Sequence, residues 1–255
     1  MSPIAISCIV FAGVFGGALF GMLLRKILPP HHLDTESKDV VKLGMALIAT
    51  MSALVLGLLI ASAKSSFDAQ KGEFTQMSAN IIQLDRVLAR YGPETKDARD
   101  VLRRTALSVD RNWSGNTSRS EKLDSAETRA AGASFYEKIL GLAPRNDFQR
   151  SLQSQALQIA LELGQARSLL LEQAGSSIPP PFLVVMVFWL AIIFTSFGLF
   201  APYNATVVAT LLLCALSVSG AIFLILELDS PFAGLMQISD APLRNALAIV
   251  IGTEH

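Results

Sequence analysis

A metal site is the first chemistry that the residue types suggest. The segment HHLDTE places His31 and His32 beside the carboxylates of Asp34 and Glu36. Imidazole and carboxylate groups are common ligands of divalent metal ions. Adjacent histidines do not by themselves aim at one point, so the pattern favours a solvated loop, with a metal site as the alternative. We therefore predict no metal site.

Catalytic groups are sparse in the rest of the sequence. The remaining histidine is His255, and neither a phosphate-binding loop nor a dinucleotide-binding glycine pattern occurs. Cys8 and Cys214 both lie in long apolar segments, which favours a packing role over a disulfide or metal framework. We therefore predict that the protein is not an enzyme and binds no cofactor.

A second group of charges lies in the stretch ILELDSPFAGLMQIS, where Glu227, Asp229 and Pro231 follow an apolar run. Carboxylates at the C-terminus of a helix oppose the helix macrodipole by about 0.3–1 kcal/mol, so they favour a cationic partner or water. Lys64 follows another apolar run, and we expect it on the same side of a membrane. These four residues form a candidate junction in which Lys64 pairs with Glu227 or Asp229. The alternative is that the charges only mark the water boundary.

The composition is that of a membrane protein. Apolar residues make up 51% of the chain and charged residues 16%, against roughly 25% charged residues in an average soluble domain. Four uncharged segments have the length of about 20 apolar residues that crossing a bilayer requires. They are residues 4–24, 43–63, 182–201 and 205–226. The formal net charge is zero, so we predict the lipid bilayer as a partner and no nucleic acid.

The polar stretch between the second and third spans predicts two long helices. Apolar residues recur at heptad spacing as far as Gly92-Pro93, where a helix must end. A returning helix begins at Asn146 or Asp147 and repeats apolar residues in steps of three and four. The outgoing set is Phe74, Met77, Ile81, Leu84, Leu88 and Tyr91, with the polar Gln70 as a gap, and the returning set is Leu152, Ala156, Ile159, Leu163, Ala166 and Leu170.

The fold class that follows is an all-α membrane protein. It has four transmembrane helices and a long antiparallel helical bundle inserted between the second and third. Shorter helices, one from about Thr95 to Trp113 and one starting at Asp124, complete the tip of the bundle. The predicted boundaries are residues 1–63 for the first two spans, 64–178 for the bundle, 179–228 for the last two spans and 229–255 for an interfacial C-terminal segment.

Small residues recur along two of the spans. Gly13, Gly17 and Gly21 are four residues apart in the first span, and Ala53 and Gly57 continue a similar series in the second, beside the hydroxyl of Thr50. Such series let helix backbones approach closely in a membrane. We predict these six residues as helix-packing or pore residues and the chain as a homo-oligomer. The sequence leaves open whether the packing is within one chain or between copies.

Four segments of the sequence carry a resemblance to a known family: residues 55–70, residues 80–94 with Asn80 and YGPE, and residues 226–239 and 242–247. Through these segments the sequence resembles the bacterial bestrophin-like membrane proteins, a family of unknown function, over most of its length. The resemblance implies a distant likeness in layout to bestrophins, which are pentameric anion channels with two spans, a helical insertion and two further spans. Val55, Leu56 and Gly57 resemble part of the bestrophin neck helix, whereas the acidic run that binds calcium in bestrophins is missing.

Two functions remain open from the sequence. The first is an oligomeric bestrophin-like ion channel, with anions as candidate permeating ions. The second is a non-conducting membrane scaffold or sensor that acts through its helical bundle, which the lack of ionisable residues within the spans favours. We predict the cell (inner) membrane as the location. The bundle is expected on the cytoplasmic side from the resemblance, although Arg25 and Lys26 after the first span favour the opposite side.

Overall fold

The computed structural model describes residues 2–29, 35–113, 126–172, 178–231 and 234–252. Within these ranges every regular element is helical. In chain order the elements are α1 (Pro3–Ile27), α2 (Thr35–Tyr91), a 3₁₀ turn (Pro93–Thr95), α3 (Lys96–Trp113), α4 (Ala126–Leu140), α5 (Asp147–Glu172), α6 (Pro180–Phe200), α7 (Ala205–Leu228) and α8 (Ala241–Gly252). The metal candidate at His31, His32 and Asp34, the capping residue Asp124 and the C-terminal His255 lie outside the described residues.

Within the described ranges four helices are long and apolar enough to cross a membrane, the same number of candidate spans as the sequence predicts. They are α1, the first part of α2, α6 and α7. The 25 residues of α1 extend about 37 Å, more than the roughly 30 Å hydrocarbon core of a bilayer. Polar residues fix two of the starts: the Ser2 hydroxyl accepts from the Ala5 amide at 3.3 Å, and the Asn204 side chain accepts from the Val207 amide at 2.8 Å.

The chain divides into two compact units. The first, called here the membrane unit, comprises Met1–Ser66 and Ser176–Asp229, and the second, called here the bundle unit, comprises Phe67–Gly175 and Ser230–His255. In the membrane unit α1 packs against both α6 and α7. Its core is formed by fully buried apolar residues of these helices, among them Val14, Ala18, Met186, Ile193, Ala215 and Ile222.

The bundle unit is built on the heptad series that the sequence predicts. All six apolar residues of the outgoing set are buried, and five of the six in the returning set are buried, with Leu163 partly buried. The Gln149 side chain donates to the Tyr91 carbonyl at 3.0 Å, while the Asn80 side chain donates to the Glu162 carboxylate at 3.5 Å. Because the later residue of α2 meets the earlier residue of α5, the two helices run antiparallel at these contacts.

The end of α2 depends on a glycine. Gly92 has a φ of +136°, a conformation that residues with a Cβ rarely adopt. Pro93 then starts the 3₁₀ turn, so α3 begins at Lys96 rather than at Thr95 as predicted. Thr95 joins these elements because its hydroxyl is buried and donates to the Leu88 carbonyl at 2.6 Å. This turn reverses the chain at the tip of the bundle unit.

The C-terminal helix α8 packs against α3. Leu243, Leu247 and Val250 are buried in the core of the bundle unit, as the predicted apolar face requires. Ile251, which was predicted on the same face, is 48% exposed because one further residue rotates it about 100° around the helix. The interfacial role predicted for this segment stays a prediction.

Candidate functional site

The glycines of α1 bring its backbone against α6. A Cβ on Gly21 would overlap the carbonyl of Thr195, and a Cβ on Gly17 would lie 3.0 Å from the Ala191 carbonyl oxygen. The contact is reciprocal, since a Cβ on Gly198 would overlap the carbonyl of Ala18. Close approach of this kind maximises dispersion contacts between helices where lipid gives no hydrophobic drive for association. These glycines therefore pack against another helix of the same chain.

Gly13 differs from its two neighbours in the series. No atom outside its own helix would lie within 4 Å of a Cβ at this position. Nearer its N-terminus, α1 is joined to α7 by a buried hydrogen bond, in which the Ser219 hydroxyl donates to the Ser7 carbonyl at 2.6 Å. A hydroxyl at 6% exposure that finds a carbonyl of another helix ties two spans together at one position.

The first part of α2 is the least buried of the spans. In the most apolar 18-residue stretch of α2, 11% of the residues are buried, whereas 28% are buried in the corresponding stretch of each of α1, α6 and α7. Thr50, Ala53 and Gly57 are all exposed, and a Cβ on Gly57 would meet nothing within 4 Å. These three residues lie on one helix face, because their spacings of three and four match the 3.6-residue period. We call this surface the open face of α2.

The polar groups of the open face are satisfied within α2. The Thr50 hydroxyl donates to the Ala46 carbonyl at 2.8 Å, one turn earlier. The hydroxyls of Thr210 and Ser217 on α7 do the same, donating to Thr206 and Leu213 at 2.9 Å each. Such bonds use the hydrogen of each of these three hydroxyls and leave its oxygen able to accept a further hydrogen bond.

Ser52 lies on the opposite side of α2 from Thr50. Its side chain is 4% exposed, and its hydroxyl has no hydrogen-bond partner among the described residues. A buried unpaired hydroxyl costs about 1–3 kcal/mol. The buried side of α2 is thus polar at this point, although the sequence pattern there is that of an ordinary apolar span.

The junction residues have different environments. Lys64 is exposed, Glu227 is only 1% exposed, and Asp229 is half-buried. Helix α7 ends at Leu228, and the Asp229 amide closes its last turn by donating to the Ile225 carbonyl at 3.0 Å. Pro231 belongs to the bundle unit, where its carbonyl accepts from the Ile238 amide at 3.0 Å. The pairing of Lys64 with Glu227 or Asp229 stays a prediction.

The basic end of α1 contacts the connection between α6 and α7. The Arg25 guanidinium donates to the Ala201 carbonyl, and the Lys26 ammonium lies 5.4 Å from the centre of the Tyr203 ring. The carbonyl is at the C-terminus of α6, where cations are favoured by the helix dipole. A cation over an aromatic face adds about 0.5–1 kcal/mol at exposed sites.

A buried carboxylate anchors α3 to α2 in the bundle unit. Asp85 is 2% exposed and receives two hydrogen bonds from Arg99, at 2.8 Å from Nε and 2.9 Å from Nη2. The Arg103 Nε lies 3.9 Å from the same carboxylate. A bidentate arginine gives this pair a fixed geometry as well as charge compensation. Arg99 and Arg103 could not be predicted from the sequence as partners of Asp85. A turn separates α2 from α3, and no helical periodicity continues across it.

The pKa of one titratable group at the tip of the bundle unit, Tyr91, is shifted by its environment. Burial raises the pKa of the Tyr91 phenol above its usual value of 10.0, the Glu94 carboxylate raises it further, and Arg145 partly opposes the shift. Arg145 Nη2 is 3.2 Å from the Glu94 carboxylate, which explains its opposing sign. The Tyr91 hydroxyl has no hydrogen-bond partner among the described residues. Tyr91 therefore stays neutral throughout the physiological range.

No metal-binding group of three or more histidine, cysteine or acidic side chains occurs in the part of the chain that the structure describes. Cys8 and Cys214 are both free and exposed on their spans. The candidate site is therefore the open face of α2, on a helix that is long and apolar enough to cross a membrane.

Comparison with known proteins identifies the family of the chain. The bestrophin-like domain matches residues 12–243, so the chain belongs to the bestrophin-like family. This confirms the resemblance drawn from the sequence. No curated protein matches the chain.

Solved structures with the same fold come from a bacterial bestrophin homolog. The crystal structure of one point mutant of the Klebsiella pneumoniae protein matches with a TM-score of 0.69 at 14% identity, covering 96% of this chain and 97% of that chain. A second mutant of the same protein matches with a TM-score of 0.67 at 14% identity, covering 94% and 98%. At this level of identity the likeness defines the fold of the two proteins and not a shared activity.

Proposed function

We propose that the chain is the subunit of a homo-oligomeric membrane channel in which the open face of α2 lines the ion path. One observation carries this proposal: α2 is the least buried span, and its uncovered surface includes the small and hydroxyl residues Thr50, Ala53 and Gly57 among large apolar ones. A lipid-facing surface favours large apolar side chains, whereas small residues favour close helix contacts or a water-filled lumen. Membership of the bestrophin-like family supports the same assignment.

Anions are the proposed permeating ions. The face that contains Thr50, Ala53 and Gly57 has no carboxylate within the span, and its next member after Ala61 is Lys64. In a symmetric oligomer this lysine recurs in every subunit, which forms a ring of cationic groups at one end of the path. Rings of basic side chains select for anions. Neutral hydroxyls and small side chains then line the remainder.

Lys64 is also the cation of the candidate junction with Glu227 and Asp229. In the channel proposal this pairing positions the end of α2 against α7 within the membrane unit. The charge that remains at the ring is set by how far the carboxylates compensate Lys64. Lys64→Gln is therefore expected to lower the anion-to-cation permeability ratio, and Asp229→Asn to raise it.

The test is ion flux through the purified full-length protein in liposomes. The proposal expects chloride flux with the wild-type chain and a fall of about tenfold or more for Gly57→Leu, because a ring of leucines closes a narrow path by excluding water. The matched control is Gly72→Leu, since Gly72 is also an exposed helical glycine of α2 with nothing within 4 Å of a Cβ but lies in the bundle unit. Intact liposomes with an oligomeric wild-type protein would overturn the channel and favour the non-conducting scaffold.

The chain is a membrane protein by its spans and its family, and the proposed location is the cell (inner) membrane with the bundle unit in the cytoplasm. A single cysteine at Ser151, an exposed residue of α5, provides the test when Cys8 and Cys214 are replaced by serine. An impermeant thiol reagent is expected to label Ser151→Cys only after the cells are opened. Labelling in intact cells would reverse the orientation.

A further inference from the structure

The last turn of α1 forms a cationic surface in the membrane unit. Arg25 and Lys26 both lie in this turn, and both are exposed. The Arg25 guanidinium donates through Nη1 to the Ala201 carbonyl, and the Lys26 ammonium lies 5.4 Å from the centre of the Tyr203 ring. The connection between α6 and α7 thus positions both cations. We call Arg25, Lys26 and Tyr203 the cationic end of α1.

The partners of these two cations are neutral. A backbone carbonyl and an aromatic ring carry no net charge, so each contact orients its cation without cancelling the charge. A guanidinium has five N–H groups, and Arg25 bonds Ala201 through Nη1. Its Nε–Nη2 edge therefore keeps two parallel donors. Among the described residues no carboxylate forms an ion pair with Arg25 or Lys26.

A compensated cation at the same end of the membrane unit provides a contrast. Helix α2 begins at Thr35, only eight residues after α1 ends at Ile27, which is too few to return across a bilayer. Near the start of α2, Lys42 pairs with Asp39 at 3.2 Å. Its charge is therefore already balanced within the chain.

An exposed apolar face adjoins the cationic end. Phe20, Leu23 and Ile27 are all exposed, and their spacings of three and four place them on one face of α1. Lys26 lies about 60° from Leu23 around the helix, because the two residues are three apart. The same side of α1 thus offers hydrocarbon over two turns and a cation at its end.

We propose that the cationic end of α1 binds the head group of an anionic phospholipid, whose acyl chains lie along the exposed apolar face of α1. Guanidinium binds phosphate oxygens with two parallel hydrogen bonds, which the Nε–Nη2 edge of Arg25 can supply. Lys26 adds a second positive charge. Tyr203 is exposed, and its amphipathic ring favours the boundary between hydrocarbon and water.

Two other occupants fit only part of this surface. A zwitterionic phospholipid has no net charge to balance the two cations, and a free phosphate ion covers none of the apolar face. The site involves none of the residues of the proposed ion path and stands independently of the channel.

The test uses the full-length protein in phosphatidylcholine nanodiscs that contain a minor fraction of a photoreactive phosphatidylglycerol. Labelled peptides are mapped by mass spectrometry. The proposal expects adducts on the last two turns of α1 and on residues 201–204, and excess unlabelled phosphatidylglycerol is expected to remove them. An equal yield from photoreactive phosphatidylcholine would overturn it, because that result marks ordinary contact with the bilayer.

Single-charge variants separate this site from a general effect of charge. Lys26→Gln is expected to reduce labelling of these peptides about fivefold, the factor for one cation near an anionic membrane surface. Lys42→Gln removes one charge from the same end and is expected to change labelling less than about twofold, since Lys42 is an exposed residue paired with Asp39. An equal fall for the two variants would overturn the site.

A charge-conserving variant tests whether the loss comes from charge or from local structure. Lys26→Arg keeps the positive charge and the contact with an aromatic ring, so it is expected to label as the wild type does. Adding Arg25→Gln to Lys26→Gln is expected to deepen the loss to about twentyfold. A fall for Lys26→Arg as large as that for Lys26→Gln would contradict recognition by charge.

Competition on the wild-type protein separates a lipid from a soluble anion and depends on no variant. Unlabelled phosphatidylglycerol is expected to reduce labelling, and millimolar inorganic phosphate is expected to leave it unchanged, because only the lipid covers the apolar face. Loss of labelling in inorganic phosphate at constant ionic strength would overturn the lipid site and assign the cationic end to a free anion.

Discussion

The two parts of α2 use the same residue types in opposite ways. In the membrane unit Leu54 and Leu58 are 71% and 65% exposed, whereas in the bundle unit Leu84 and Leu88 are 0% and 1% exposed. The first part is apolar on every side, and the second is apolar on one face at heptad spacing. The leucines therefore stabilise the protein in the second part by burial within the chain, and in the first by contact with lipid or with other copies.

Breaking the ion pair between Asp85 and Arg99 is expected to have the largest effect on stability of the changes considered for α2. Asp85→Asn removes the charge that compensates Arg99 and is expected to destabilise the bundle unit by about 3 kcal/mol, because the Arg99 side chain, which is only 20% exposed, is left without its counter-charge. The matched control is Asp39→Asn on the same helix, whose pair with Lys42 at 3.2 Å is 62–67% exposed and is worth below about 1 kcal/mol. Unfolding in denaturant, followed by a probe in the bundle unit, provides the measurement. Equal losses for the two variants would contradict the account.

Truncating a leucine in each part of α2 is expected to give the next largest difference in stability. Leu84→Ala is expected to cost about 3 kcal/mol, since it removes apolar contacts and leaves a cavity in a closed core. Leu54→Ala is expected to cost less than about 0.5 kcal/mol, because an exposed side chain leaves no cavity. Both are read from thermal unfolding in the same detergent. A large loss at Leu54 would mean that its exposed surface is covered by another copy under those conditions.

Tyr91→Phe tests the smallest effect. At neutral pH we expect the variant to be as stable as the wild type or more stable by about 1 kcal/mol, because the lost hydroxyl is buried and has no hydrogen-bond partner among the described residues. Tyr203→Phe, at a residue that is 74% exposed, is the control at neutral pH.

The pH dependence of this variant has a definite sign. The pKa of Tyr91 is raised in the folded chain, so the phenol of the unfolded chain ionises first as the pH passes its usual value of 10.0. The wild type is then expected to lose stability above pH 10.0 relative to Tyr91→Phe, and to show no such difference below it. Parallel stability curves for the two proteins above that pH would argue against a buried neutral phenol.

Periodic features of the fold could be predicted from the sequence, and contacts between non-periodic features could not. The six heptad residues from Phe74 to Tyr91 are buried because a helix places every third and fourth residue on one side, whatever its partner is. The pair of Asp85 with Arg99 depends instead on how the turn at Gly92 directs α3. No local pattern carries that information.

The candidate site shows the same distinction between features that the sequence predicts and contacts that it does not. The glycine series of α1 and the small residues of α2 have the same sequence signature, yet Gly21 contacts α6 closely and Gly57 has nothing within 4 Å of a Cβ. A small residue permits a close contact without specifying which helix makes it. The membrane span therefore follows from composition, while the choice between internal packing and an open face appears only in three dimensions.

The most direct test of the channel proposal is chemical modification of the open face during conduction. In protein with Cys8 and Cys214 replaced by serine, Thr50→Cys and Gly57→Cys are reconstituted in planar bilayers and treated with a charged thiol reagent. Leu58→Cys is the matched control, because Leu58 is exposed but lies roughly 100° from Gly57 around the helix. The account predicts a large and lasting fall in current for Thr50→Cys and Gly57→Cys and little change for Leu58→Cys. Unchanged current at both open-face positions, or an equal fall at Leu58, would contradict it.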